Sequence, residues 1–133
     1  MKKNKDLGIL ILRISIGVLM MLHGIAKIKN GVGGIEGMLA NKGLPGFIAY
    51  GSYIGEVIAP LMMIIGFRAR LASLFFALTC ITAMYLAHAQ DVFTLTKSGG
   101  WGVELLGLFL LGAVAIFFSG AGKYAVSTKS KWD

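Results

Sequence analysis

The chain has 133 residues, of which 56% are apolar and 14% are charged, and its mean hydropathy is +0.78. Soluble domains are less apolar, and here the apolar residues form long runs rather than amphipathic stripes, so we predict one small membrane domain over residues 1–133. The formal net charge of +7 does not predict nucleic-acid binding. The basic residues stand at the ends of the apolar runs, where membrane topology places them.

Four apolar runs predict four membrane spans. They cover about residues 7–28, 47–67, 71–90 and 101–119. A helix of ~20 residues crosses the ~30 Å hydrocarbon layer at ~1.5 Å per residue. In lipid, only helices satisfy their own backbone hydrogen bonds over such lengths. The predicted fold is therefore an all-α, integral membrane four-helix bundle.

The first span carries three ionisable residues. Arg13 interrupts its apolar run, and His23 and Lys27 stand four residues apart near its far end, which places them on one helix face. The long connection that follows predicts a short interfacial helix around residues 35–39. Gly43 is placed to end such a helix, and Pro45 prevents its continuation.

Glu56 lies in the middle of the second span. A carboxylate at that depth costs ~2.5 kcal/mol or more, so it must face protein or water and find a partner. We predict Arg13 as this partner, because a buried Arg–carboxylate pair would keep Glu56 ionised. In the alternative interpretation, Arg13 extends to the cytoplasmic head groups.

Two further features of the second span concern its backbone. Pro60 removes the amide that would bond the carbonyl of Glu56, which predicts a kink and a free backbone acceptor. Gly51, Gly55 and Ala59 form a row of small residues spaced four apart. Such a row predicts close packing against a neighbouring helix.

The distribution of lysines and arginines predicts the orientation. The connection at residues 68–70 is so short that the second and third spans must form an antiparallel hairpin. Eight basic residues lie on the side of this turn and of both termini, and four lie on the other side. The excess predicts a multi-pass protein of the bacterial inner membrane with both termini in the cytoplasm.

Polar residues from several spans should meet at one end of the bundle. His88 ends the third span and Glu104 begins the fourth, at the same depth as His23 and Lys27. Together with Glu56 they predict an intramembrane polar pocket, although a purely structural polar network is the alternative. A metal site is not predicted, because no HxxH, ExxH or CxxC spacing is present and Lys27 would repel a cation.

Several short motifs resemble those of the DoxX family of small four-helix membrane proteins. The motifs are Leu12-Arg13, His23-Gly24 with Lys27, Gly43-Leu44-Pro45, Gly55-Glu56, Gly66-Phe67-Arg68 with Arg70, Trp101 with Glu104, and Gly120 with Gly122-Lys123-Tyr124. The resemblance implies a four-helix membrane fold and an association with quinone-linked membrane oxidoreductase systems. It transfers no catalytic motif, and flavin and haem signatures are absent from the sequence.

The functional hypothesis is a quinone-interacting subunit of a membrane oxidoreductase system. Apolar walls would hold the quinone, and the polar cluster would bond its oxygens and exchange protons with the outside. Electrons would come from a redox partner subunit, and a homodimer is a further expectation. The alternatives are a non-catalytic assembly or chaperone-like membrane protein and a small-solute transporter.

Overall fold

The computed structural model describes residues 1–133 and contains five helices and no strands. The helices are α1 (Lys5–Asn30), α2 (Gly33–Asn41), α3 (Gly46–Ile65), α4 (Ala69–Ala87) and α5 (Glu104–Ser119). Helices α1, α3 and α4 are long and apolar enough to cross a membrane, and α5 is a shorter apolar helix. The predicted all-helical membrane fold is confirmed.

The last two predicted spans differ from the helices at their loop ends. Helix α4 ends at Ala87 rather than at residue 90, with the backbone N–H of His88 closing its last turn. Helix α5 begins at Glu104 rather than at Trp101, which instead pairs with Leu95 in an isolated bridge. Gly99 turns the chain with a φ of 92°, and residues 100–102 then pair with the preceding segment through the Gly100 carbonyl and the Gly102 N–H, so α5 starts only after them.

Helix α3 is continuous but irregular. It starts as a 3₁₀ turn over Gly46–Tyr50, passes through a short α segment, and widens to a π turn over Ile54–Ile58. The π turn lies just before Pro60, which lacks the amide that a regular α-helix would use there. The irregularity expected at this proline therefore takes the form of a π turn centred on Glu56.

Small residues set the distances between the long helices. A Cβ added to Gly24 of α1 would overlap the backbone carbonyl of Glu56, and one added to Gly55 would overlap the hydroxyl of Thr79 on α4. Ala59 is 1% exposed. The predicted packing row therefore operates at Gly55 and Ala59. It was wrong for Gly51, where an added Cβ would meet nothing within 4 Å, because that residue lines the cavity.

The core lies where α1, α3, α4 and α5 meet. Its most buried large side chains include Met20, Met63, Phe76, Phe109 and Ile116. Phe76 and Phe109 pack edge to face with ring centroids 5.9 Å apart. This core separates the two ends of the bundle, one formed by the α3–α4 turn and the other by α2 and the α4–α5 connection.

Residues 120–133 close the end of the bundle that contains the α3–α4 turn. The backbone N–H of Val126 donates to the Ile65 carbonyl at 3.2 Å, and that of Arg70 donates to the Trp132 carbonyl at 3.0 Å. Burial of Asp133 raises its pKa, but hydrogen bonds from Ser130 and Ser127 outweigh that effect and leave the pKa below its usual value. The carboxylate therefore stays ionised and holds this segment in place.

The contact between α1 and α3 at Gly24 generates a stability prediction. Gly24→Ala should lower the free energy of unfolding by about 1–3 kcal/mol, because the added methyl group collides with a backbone carbonyl that cannot move independently. Thermal unfolding in detergent, followed by circular dichroism, measures the change. Gly8→Ala is the matched control on the same helix, since nothing lies within 4 Å of its added Cβ. Equal melting temperatures for the two variants would contradict the close contact.

Candidate functional site

A cavity of about 780 Å³ lies at the end of the bundle opposite residues 120–133. Its walls come from α1, α3, α4 and α5, and α2 and the connection before α5 partly cover it. Of its 29 lining residues, 17 are hydrophobic. This size and this mixture of apolar walls with few polar groups are typical of a site for a small organic ligand.

All five residues predicted to form a pocket line this one cavity. They are His23, Lys27, Glu56, His88 and Glu104. His23 and Lys27 stand one turn apart on α1, and Glu56 belongs to the π turn of α3. His88 caps the end of α4, and Glu104 opens α5. The fold thus brings together polar groups from four separate helices.

An ion pair between Lys27 and Glu56 forms the centre of the polar cluster. The ammonium of Lys27 donates directly to Oε2 of Glu56, whose side chain is 8% exposed, against 27% for Lys27. The Tyr53 hydroxyl donates to the backbone carbonyl of Lys27 at 3.3 Å. The pairing follows from the close contact at Gly24, because Lys27 lies one turn further along the same face of α1.

The predicted ion pair between Arg13 and Glu56 was wrong. Arg13 is fully buried, and its Nη2 donates to the backbone carbonyl of Tyr124 at 2.5 Å, while its Nε and Nη1 have no hydrogen-bond partner. It does not reach head groups either. Residues 120–133 fold back over the bundle and offer a carbonyl to Arg13. At the other end of α1, Lys27 already neutralises Glu56.

The two histidines differ in their surroundings. The ring of His23 meets that of Phe109 edge to face, with centroids 6.4 Å apart, and takes part in no ion pair. His88 lies 3.5 Å from the carboxylate of Asp91, and both side chains are about half exposed. Both histidines are exposed residues of the cavity wall, but the ring nitrogens of His23 have no charged partner, whereas His88 lies beside an acid.

Glu104 lines the cavity at the start of α5. Its carboxylate is exposed, forms no ion pair, and lies so close to Gly100 that a Cβ there would stand 2.7 Å from Oε2. Trp101 also lines the cavity, with its indole N–H donating to the Val92 carbonyl at 2.6 Å. The short bridge before α5 therefore positions both residues.

The sequence did not predict that α2 covers part of the cavity. Helix α2 is longer than the predicted interfacial segment and packs inward, with Leu39 1% exposed and lining the cavity beside Ile35 and Met38. The Lys42 ammonium stands 4.4 Å from the centre of the Tyr85 ring on α4, which holds the end of this cover in place. The helical i, i+3, i+4 spacing of the apolar residues at positions 35, 38 and 39 was the available signal.

The sequence also did not predict that three hydroxyl side chains line the cavity wall. Thr79 and Thr82 of α4 donate to the carbonyls of Phe75 and Leu78, as threonines in helices commonly do. Ser52 of α3 is the exception, because its buried Oγ has no partner. In addition, no group of three or more His, Cys, Asp or Glu side chains is arranged to hold a metal ion.

Comparison with known proteins identifies the family. The DoxX family model matches residues 8–89, a range that contains His23, Lys27, Glu56 and His88. The chain belongs to the DoxX family. It is 33% identical over 93 residues to a Bacillus subtilis (strain 168) protein named "Putative oxidoreductase CatD", and the match covers 70% of this chain and 69% of that protein. No solved structure matches the chain.

The ion pair at the centre of the cluster generates a double-mutant prediction. Lys27→Gln and Glu56→Gln should each lower the free energy of unfolding by about 2–3 kcal/mol, because each leaves an unpaired charge; the partial exposure of Lys27 keeps the loss at the lower end for buried pairs. The double variant should regain part of the loss. Chemical unfolding of the four proteins in mixed micelles measures the coupling.

Arg13 supplies the control for this cycle. Arg13→Gln should also destabilise the protein, since Arg13 is fully buried, but its loss should add to that of Glu56→Gln without coupling. Coupling between Arg13 and Glu56, together with additivity between Lys27 and Glu56, would contradict the observed pairing.

Proposed function

We propose that this DoxX-family membrane protein binds a quinone in its cavity and acts as a quinone-interacting subunit of a membrane oxidoreductase system. The observation that carries the proposal is the convergence of five ionisable side chains from four helices on one largely apolar cavity of about 780 Å³. The name of the Bacillus subtilis relative supports an oxidoreductase association.

The cavity suits a planar ring with two carbonyl oxygens. Its apolar walls provide contact for the ring and for an isoprenoid chain, and only a few polar groups interrupt them. The buried Ser52 hydroxyl without a partner is a donor that such a ligand would satisfy. The free nitrogens of His23 are a second donor group of this kind.

The side chains of the cavity supply charge and protons. Lys27 has three N–H donors, of which Glu56 occupies one, so its remaining donors are free to stabilise negative charge on a ligand oxygen. His23 and His88 belong to the residue type that exchanges protons near neutral pH. Bound quinone would supply the two-electron chemistry, with electrons delivered by a redox partner subunit.

The arrangement of the basic residues supports the bacterial inner membrane, with both termini in the cytoplasm. The end of the bundle closed by residues 120–133 collects Lys2, Lys3, Lys5, the Arg68–Arg70 turn, Lys123, Lys129 and Lys131. The cavity end carries fewer basic residues, namely Lys27, Lys29, Lys42 and Lys97. By the positive-inside rule, the cavity opens toward the outer side of the membrane.

Cysteine labelling tests this orientation. In intact cells, a membrane-impermeant maleimide should react with Lys42→Cys and not with Lys129→Cys, because the two positions lie at opposite ends of the bundle. The native Cys80 is buried and gives the unlabelled background. Labelling of position 129 but not of position 42 would reverse the proposed topology.

Fluorescence provides a direct binding experiment, because the chain has only two tryptophans and Trp101 lines the cavity. In a Trp132→Phe background, menadione should quench Trp101 saturably. The imidazole of His23 and the ammonium of Lys27 are the donors that should hold the quinone oxygens. Titration with menadione at pH 7 measures the dissociation constant.

Substitutions separate a specific site from partition into the micelle. His23→Ala removes the imidazole donor from the cavity wall, so the dissociation constant should rise, whereas simple partition into the micelle would not respond. Thr82→Val is the matched control, since that hydroxyl is already bonded to a backbone carbonyl. Quenching that never saturates would refute the quinone proposal. Mass spectrometry of co-purified molecules would then separate a bound client protein from a transported solute.

A further inference from the structure

The connection between α4 and α5 contains a short hairpin, residues 92–102, in which Leu95 pairs with Trp101. Two large apolar side chains project from it, with Phe93 97% exposed and Leu95 75% exposed. No part of the chain covers them. Two such side chains in one short hairpin of a membrane protein favour contact with lipid or with another molecule.

The lengths of the helices indicate where this hairpin lies. Helices α4 and α5 are level at the end closed by residues 120–133, because a Cβ at Gly120 would stand 3.4 Å from the Arg70 side chain. With 16 residues, α5 spans ~24 Å, less than the ~30 Å hydrocarbon layer. Helix α5 is therefore too short at the cavity end, and the hairpin that precedes it lies at this end.

The hairpin satisfies much of its own backbone. The N–H of Thr96 donates to the Gly100 carbonyl at 2.7 Å, that of Gly102 to the Thr94 carbonyl at 2.9 Å, and that of Thr94 to the Asp91 carbonyl at 3.1 Å. The indole N–H of Trp101 adds a bond to the Val92 carbonyl. Irregular backbone can lie at the edge of the hydrocarbon layer only when its N–H and C=O groups are hydrogen-bonded in this way.

The apolar surface of the hairpin also continues the lipid-facing surface of α5. Leu105, Leu108 and Leu111 are 51%, 67% and 65% exposed. Trp101 stands at the junction and is 37% exposed, a position typical of tryptophan at the membrane interface. Lys97 near the tip is also exposed, and its flexible chain can reach the head groups.

We propose that the 92–102 hairpin is a membrane-inserted element, with Phe93 and Leu95 embedded in the lipid at the boundary of the bilayer. Thr96 and Trp101 of the hairpin also line the cavity. The hairpin therefore forms a wall between the cavity mouth and the lipid, and a lipid-soluble ligand would approach along it. The insertion itself is independent of which ligand the cavity binds.

Site-directed spin labelling tests the insertion. Nitroxides are attached to Phe93→Cys, Leu95→Cys and Lys97→Cys in a Cys80→Ala background, and the proteins are reconstituted into phosphatidylcholine/phosphatidylglycerol vesicles. Collision with oxygen, which concentrates in lipid, should dominate at positions 93 and 95. Collision with a water-soluble nickel chelate should dominate at position 97. Leu108→Cys, on the exposed face of α5, is the lipid reference.

If collision with the nickel chelate dominated at positions 93 and 95, the proposal would be overturned. The hairpin would then lie in water, where a soluble partner would have to cover it.

A second measurement needs no labelled side chain. In Trp132→Phe, brominated lipids should quench Trp101 several-fold more strongly when the bromine lies near the carbonyl region than near the bilayer centre. The absence of quenching by either lipid would also overturn the proposal. Neither experiment depends on quinone binding.

Discussion

The pairing of Glu56 with Lys27 is the interaction on which the arrangement of this end of the bundle depends. A carboxylate in the middle of an apolar helix needs a partner within reach, because a side chain that is only 8% exposed has lost most of its contact with water. The partner comes from α1, which approaches α3 closely enough only because residue 24 has no side chain. The π turn before Pro60 contains Glu56 itself. Glycine, proline and the two charged residues thus form one structural unit.

The two ends of the bundle have different properties. At one end, residues 120–133 fold over the α3–α4 turn and bury Arg13 completely. At the other, polar groups surround a cavity that α2 and the 92–102 hairpin only partly close. A partly buried ion pair on the cavity wall, beside a histidine without a charged partner, is chemically suited to a polar ligand head. The apolar walls suit a lipid-soluble body, which is why a quinone is the proposed ligand.

The sequence predicted much of the pocket because the relevant groups lie at helix ends. His23 and Lys27 lie near the end of one apolar run, His88 ends another and Glu104 starts the last. Depth along a helix follows from residue number, so these groups had to meet at one level. Partner choice does not follow from depth. Arg13 was assigned to Glu56 because nothing local shows that residues 120–133 return to provide the Tyr124 carbonyl.

The sequence by itself determined the helices, the family and the set of polar residues at one end, because apolar run length and charge position are local properties. Tertiary structure decided which charges pair, since that depends on a single glycine contact between two helices. It also decided that α2 covers a cavity, because the inward face of a short helix is defined only by what it packs against. The exposed hairpin before α5 belongs to the same group of features. Its glycine turns are visible in the sequence, but the exposure of Phe93 and Leu95 depends on how the hairpin packs against α5.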